Sequence, residues 1–127
     1  MRLTIILAAA VLCAGSTPLI AKTGKHAAFQ LNETTWTFVD KKDGKLKESI
    51  DADGNYIAQT IGGKHIDHGK AVMKNAKACF TSAMTKEGEI CWTTGPVKIG
   101  HSFVTHSSNG QKLTVSRVKY TPLSMPK

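Results

Sequence analysis

The chain reads as an all-β domain: an antiparallel meander of about eight strands that closes into a small barrel or folds into a two-layer sandwich, with one disulfide. Short runs of Val, Ile, Thr and aromatic residues alternate with Gly, Asp, Asn and Pro at intervals of roughly ten residues, as hairpin-linked strands require. Beyond the first 21 residues no segment sustains the 3.6-residue apolar period of a helix. The two cysteines of that region, Cys79 and Cys91, flank a turn-forming stretch.

The first strand is Thr34 to Val39, in which Trp36 and Phe38 share one face and the threonines take the other. Asp40-Lys41-Lys42-Asp43-Gly44 turns it into a mostly polar strand from Lys45 to Ile50. Asp51-Ala52-Asp53-Gly54 then leads to Asn55–Thr60, and Asp-Gly is a strong hairpin signal. Gly62-Gly63 breaks the chain before a fourth strand, Lys64 to Met73, whose interior Gly69 marks a bulge or a close backbone approach. Ala78–Ala83 and Glu89–Thr94 form a hairpin, and a seventh strand runs from Val97 to Thr105. Gln111 to Tyr120 closes the domain; Leu113 and Val115 face one way and Val118 and Tyr120 the other, which predicts a bulge near Ser116-Arg117. A meander of this length avoids exposed edges most simply by closing on itself. The predicted core is Trp36, Phe38, Tyr56, Ile57, Val72, Phe80, Ile90, Trp92, Val97, Ile99, Phe103, Leu113 and Val115.

A hairpin centred on Thr85 sets Cys79 opposite Cys91, with Phe80 opposite Ile90 and Ala78 opposite Trp92 on the other face. The pair is expected to form a structural disulfide lying behind the apolar layer, and closing a ring of about 13 residues contributes roughly 3 kcal/mol in the chain-entropy model. A redox pair would be spaced Cys-x-x-Cys beside a helix, and a nucleophilic cysteine would stand free beside a histidine; neither pattern occurs.

Arg2 followed by the apolar run Leu3 to Ala14 is too short for a membrane span and fits an export signal, residues 1–21, cleaved after Ala21. Cys13 as a lipidated residue is disfavoured by Leu12 before it, so no stable membrane anchor is expected. The remaining organisation is a flexible segment over 22–33, a single β-domain over 34–120 and an extended tail over 121–127. This places the protein in the periplasm or outside the cell, where a disulfide persists.

The formal charge is +8, carried by lysines that form no long run, a pattern suited to solubility or to weak attraction toward an anionic envelope polymer or headgroup. Export, few arginines and the lack of a basic helix or aromatic RNA-binding strand exclude nucleic acid as the expected partner. Asp51-Ala52-Asp53-Gly54-Asn55 begins like a calcium loop. It fails at the fourth position, where Gly stands too early, and at the twelfth, Gly62, which has no carboxylate. His65-Ile66-Asp67-His68 could supply imidazole and carboxylate ligands to zinc or copper. In a regular strand, however, His65 and Asp67 share a face and His68 points away, so His26, His101 or His106 would have to complete the site. No Gly-x-Ser-x-Gly elbow surrounds any serine. Glu87, Glu89 and Asp67 could in principle supply paired carboxylates for acid–base work, but the first two are expected at a hairpin tip, where solvent would leave them ordinary. No enzyme activity and no cofactor are expected. Asn32-Glu33-Thr34 is a glycosylation sequon, relevant only in a eukaryote.

Ser49-Ile50-Asp51-Ala52-Asp53-Gly54-Asn55-Tyr56-Ile57, His65-Ile66-Asp67-His68-Gly69, Ala78-Cys79-Phe80-Thr81-Ser82-Ala83-Met84 and Cys91-Trp92 together resemble a group of small secreted bacterial proteins of uncharacterised activity. The resemblance implies a bacterial periplasmic setting and transfers no functional residue. The functional expectation is a non-enzymatic β-domain that binds an envelope component, either a protein or an anionic polymer. The alternatives are a metal-binding protein using His65, Asp67 and His68, or a lipocalin-like carrier of a small ligand.

Overall fold

A computed structural model describes residues 29–127; the expected leader, Cys13 and His26 lie outside the described residues. Eight strands and no helix occur among them: β1 (Thr34–Asp40), β2 (Gly44–Ile50), β3 (Asn55–Thr60), β4 (His65–Lys74), β5 (Lys77–Ser82), β6 (Glu89–Thr93), β7 (Ser102–His106) and β8 (Lys112–Val118). They form one antiparallel sheet in the order β6-β5-β4-β3-β2-β1-β8-β7. The first six strands follow one another as hairpins, and β8 pairs with the free side of β1, which carries β7 round to β6. There the sheet nearly closes. Trp92 bridges Ser107, the Ser108 N–H donates to the Cys91 carbonyl at 2.8 Å, and the Thr105 hydroxyl donates to the Thr93 carbonyl at 2.6 Å. The architecture is therefore the barrel, nearly closed, and not the sandwich.

Local sequence explains most turns. Asn75 and Ala76 both adopt positive φ (48° and 60°), which gives the β4–β5 hairpin a two-residue turn whose twist suits the flanking strands. At the β2–β3 turn, Asp51 Oδ1 accepts the N–H groups of Asp53 and Asn55, both at 2.9 Å. Gly54 takes the left-handed conformation there, φ 81°. Gly69 answers to the second reading given above, a close backbone approach: a Cβ at this position would stand 2.0 Å from the Thr81 carbonyl oxygen.

Three strand expectations need correction. The seventh strand begins at Ser102, not Val97, because Gly95, Pro96 and the positive-φ Gly100 keep residues 94–99 out of the ladder, with Gly100 and His101 both bonded to the backbone of Arg117 just ahead of it. No bulge interrupts β8 near Ser116-Arg117; its register against β1 is unbroken from Val115 to Val118. Arg117 therefore takes the inward position that follows Leu113 and Val115. The register shift falls instead in β4, where Ala58 pairs with Asp67 but Gln59 pairs with His65, leaving Ile66 as the extra residue.

The core lies at one end of the barrel, where Trp36, Ile50, Tyr56, Ala71 and Ala78 are joined by Leu31. Phe29 and Phe103 pack edge-on against the Trp36 ring, and the Arg117 guanidinium lies over Phe29 and Trp36 while donating to the Val97 carbonyl at 2.8 Å. Of the residues just ahead of β1, Phe29 and Leu31 pack on the core while Gln30, Asn32 and Glu33 are exposed. At the other terminus the Thr121 N–H donates to Thr35 Oγ1 at 2.8 Å, and the Ser49 hydroxyl donates to the Thr121 carbonyl at 2.6 Å. Ile57, Val72 and Ile99 do not belong to the core. Ile57 pairs with outward Ser49 and His68, Val72 is 46% exposed, and Ile99 is 58% exposed in the 94–101 loop.

Cys79 and Cys91 form the expected disulfide in the expected register, Cα atoms 3.9 Å apart, on the face opposite Phe80 and Trp92. A disulfide fits an oxidising setting outside the cytosol. No helix of the described residues is long and apolar enough to cross a membrane.

Candidate functional site in the barrel interior

Directly paired residues of antiparallel strands share a face, so the register fixes what points inward. Trp36 pairs with Glu48, Glu48 with Ala58 and Ala58 with Asp67, which lays an aromatic, an acid, a small residue and a second acid along one inner row. Above and beside this row the barrel holds a cavity of about 260 Å³ that is open to solvent on one side. Phe38, Phe80, Ile90, Trp92, Phe103 and Leu113 supply its apolar wall. Leu31 and Trp36 line it toward the packed end, and Asp40, Thr85, Gly88 and Gln111 line it toward the end that carries the β1–β2, β5–β6 and β7–β8 turns.

Asp67 is held rigidly. The Tyr56 hydroxyl donates to Oδ2 at 2.8 Å, and Oδ1 accepts the Ser82 hydroxyl at 2.6 Å and the His68 N–H at 2.9 Å. Ser82 Oγ in turn accepts the N–H groups of Met84 and Thr85, at 3.0 and 3.2 Å, so its own proton is directed at the carboxylate. Burial, and then the bond to Asp67, push the Tyr56 hydroxyl above its ordinary pKa, which keeps it a donor.

Glu48 is different. It makes no hydrogen bond among the described residues, and its remaining surface faces the cavity. Removal from water, followed by the charge of Asp67, pushes its carboxyl up to about 8, so it is largely protonated at neutral pH. A neutral carboxyl beside a fixed carboxylate can donate a hydrogen bond, or it can ionise when a positive charge arrives.

The structure separates the three residues expected to bind metal. The extra residue Ile66 shifts the alternation, so His65 joins His68 on the outer face, with His65 Nε2 3.2 Å from His68 Nδ1, while Asp67 points inward. His101 and His106 make no contact with this pair among the described residues. Cys79, Glu89 and Cys91 place ligand-type atoms within 4.8 Å of one another, but the two sulfurs are bonded to each other. Glu87 lines the cavity, and Glu89 forms an outer ion pair with Lys74 at 2.7 Å.

Glu48, the most perturbed group of the site, was missed by sequence reasoning, although a signal existed. Leu46, Glu48 and Ile50 share one strand face, so the acid between two apolar residues points inward, where it is half-buried against the cavity. No family model, curated protein or solved structure matches the chain, so the site stands on its own geometry.

Proposed function

We propose that this protein is a small-molecule-binding barrel of the bacterial periplasm, exported by a cleaved leader, that holds its ligand inside the sheet. Of the expected activities this is the lipocalin-like alternative. The observation that supports it over docking through the outer surface is the 260 Å³ cavity, walled by aromatic and aliphatic side chains with carboxyl, hydroxyl and amide groups set among them. Its size lies near the lower end of the usual range, about 300–1,000 Å³ for ligand pockets, and suits a compact ligand. The rigid Asp67 network and the unbonded Glu48 would orient it.

Titration with Nile red, a neutral apolar dye, tests the reading. One saturable site is expected, with weakening of at least tenfold in Ile90→Trp, which fills the wall without adding charge. Linear, non-saturable emission, or unchanged affinity in a folded Ile90→Trp protein, would overturn it.

A second reading rests on the His65–His68 pair. Two nitrogens 3.2 Å apart are close to one edge of a tetrahedron around zinc, given Zn–N bonds of about 2.0 Å. Calorimetry with zinc or copper against the native protein and against His65→Ala with His68→Ala decides this reading. Equal heats from the two proteins would end it.

A further inference from the structure

The chain is strongly basic, yet its cavity is acidic. Asp40, Glu48, Asp67 and Glu87 line it, four of the nine acidic residues of the chain, and no lysine, arginine or histidine does. Arg117 is the basic residue closest in register, but it stands beyond the Trp36 ring, engaged with Phe29 and the Val97 carbonyl. Asp40 spends one oxygen on the N–H groups of Lys42 and Asp43 in its own turn, and Asp67 has three donors. Glu48 has neither a donor nor a counter-ion among the described residues.

The wall completes the chemistry. Trp36, Phe38, Phe80, Trp92 and Phe103 present aromatic surface to the same space. Aromatic faces attract cations through their quadrupole, most strongly where water is excluded. An anionic ligand would meet the acidic lining, whereas a neutral one could only accept a hydrogen bond from the Glu48 carboxyl; an ammonium group would satisfy Glu48 and the neighbouring Asp67 charge together.

We infer that the barrel takes a compact organic cation, an ammonium group on an apolar body, with the charge placed between Glu48 and Asp67 and the body against the aromatic wall. This rests on the reading that the cavity binds a ligand and adds the ligand's charge class. Ala58, the residue between the two acids in the row, supplies the room: a larger side chain there would fill the gap across which they face each other.

Three probes of similar size separate the possibilities: 2-phenylethylamine, 2-phenylethanol and 3-phenylpropanoate, each followed by competition with Nile red and by the fluorescence of the two tryptophans. The amine is expected to bind at least tenfold more tightly than the alcohol, and the propanoate more weakly than either. Glu48→Gln should remove most of the preference for the amine while leaving the alcohol unchanged, and Asp67→Asn should act in the same direction if Glu48→Gln fails to fold. Equal binding of amine and alcohol, tighter binding of the propanoate, or binding of none of the three would overturn the inference. Saturable Nile red binding in any of those cases would leave the binding barrel itself standing.

Discussion

Glu48 and Asp67 face the same cavity from strands that are not neighbours, with only Ala58 between them in the register. Two strand spacings set their backbones about 10 Å apart, so the carboxyl groups lie within each other's electrostatic reach without a direct bond. Asp67 is satisfied by three donors and Glu48 by none, and the environment sets a firmly bonded carboxyl group opposite one whose pKa is pushed up.

The first consequence concerns pH. The folded protein holds the Glu48 proton until about 8, whereas an unfolded glutamate releases it near 4.5. Between those values the native state binds more protons, so stability falls as pH rises and levels off above about 8. The groups facing Glu48 are Asp67 from β4 and Tyr56 from β3; β1 presents Trp36, with Arg117 of β8 beyond it. Glu48→Gln should flatten this slope and stabilise the protein by a few kcal/mol at pH 9, as urea unfolding at pH 5 and pH 9 would read. Equal stability differences at the two pH values would contradict it.

Gly69 and Gly95 form a matched pair. A Cβ at Gly69 would overlap the Thr81 carbonyl, whereas at Gly95 it meets nothing within 4 Å and the backbone is not left-handed. Gly69→Ala should cost about 3 kcal/mol or more by forcing β4 and β5 apart, and Gly95→Ala should stay within about 0.5 kcal/mol. Thermal unfolding of the two variants makes the comparison.

Ala76 sits at φ 60°, a conformation that costs an L-residue with a Cβ roughly 1 kcal/mol and costs glycine little. Ala76→Gly creates Asn-Gly, the preferred pair for this turn, and should raise stability by about 1 kcal/mol. A lower midpoint in urea would show that chain entropy outweighs the relief of strain.

Replacing Cys79 and Cys91 together by alanine releases a short loop and should lower stability by about 3 kcal/mol. Because the disulfide lies on the outer wall, Nile red binding by the folded fraction should be unchanged. A large loss of affinity would mean that the bond shapes the cavity.

Turn chemistry made the strand count and the Cys79–Cys91 register legible, because Asp-Gly, Gly-Gly and Asn-containing turns act locally. The inner face was harder to read. Ile57 and Val72 are apolar and lie in strands, yet which side they take is set by pairing with Ser49, His68 and Cys79. The extra residue at Ile66 reverses the alternation in the middle of β4, and nothing in the local composition marks it, so simple alternation pairs His65 with Asp67 whereas the fold puts it beside His68. The bulge expected near Ser116-Arg117 follows from Leu113 and Val115 facing one way and Val118 and Tyr120 the other; the strand instead runs on with Arg117 inward, stacked over Phe29 and Trp36, a contact visible only in three dimensions. Glu48 escaped notice for the related reason that its strand alternates lysines with Leu46 and Ile50 and reads as polar.

The incomplete junction between β6 and β7 gives the wall a slit with two unlike lips. On one side β6 is tied to β5 by the Cys79–Cys91 bond as well as by its ladder. On the other, β7 hangs from β8 and follows the irregular stretch 94–101, held across the gap by a handful of hydrogen bonds to Cys91 and Thr93. The β7 margin, which has no covalent tie to its neighbour, is therefore the less constrained of the two lips.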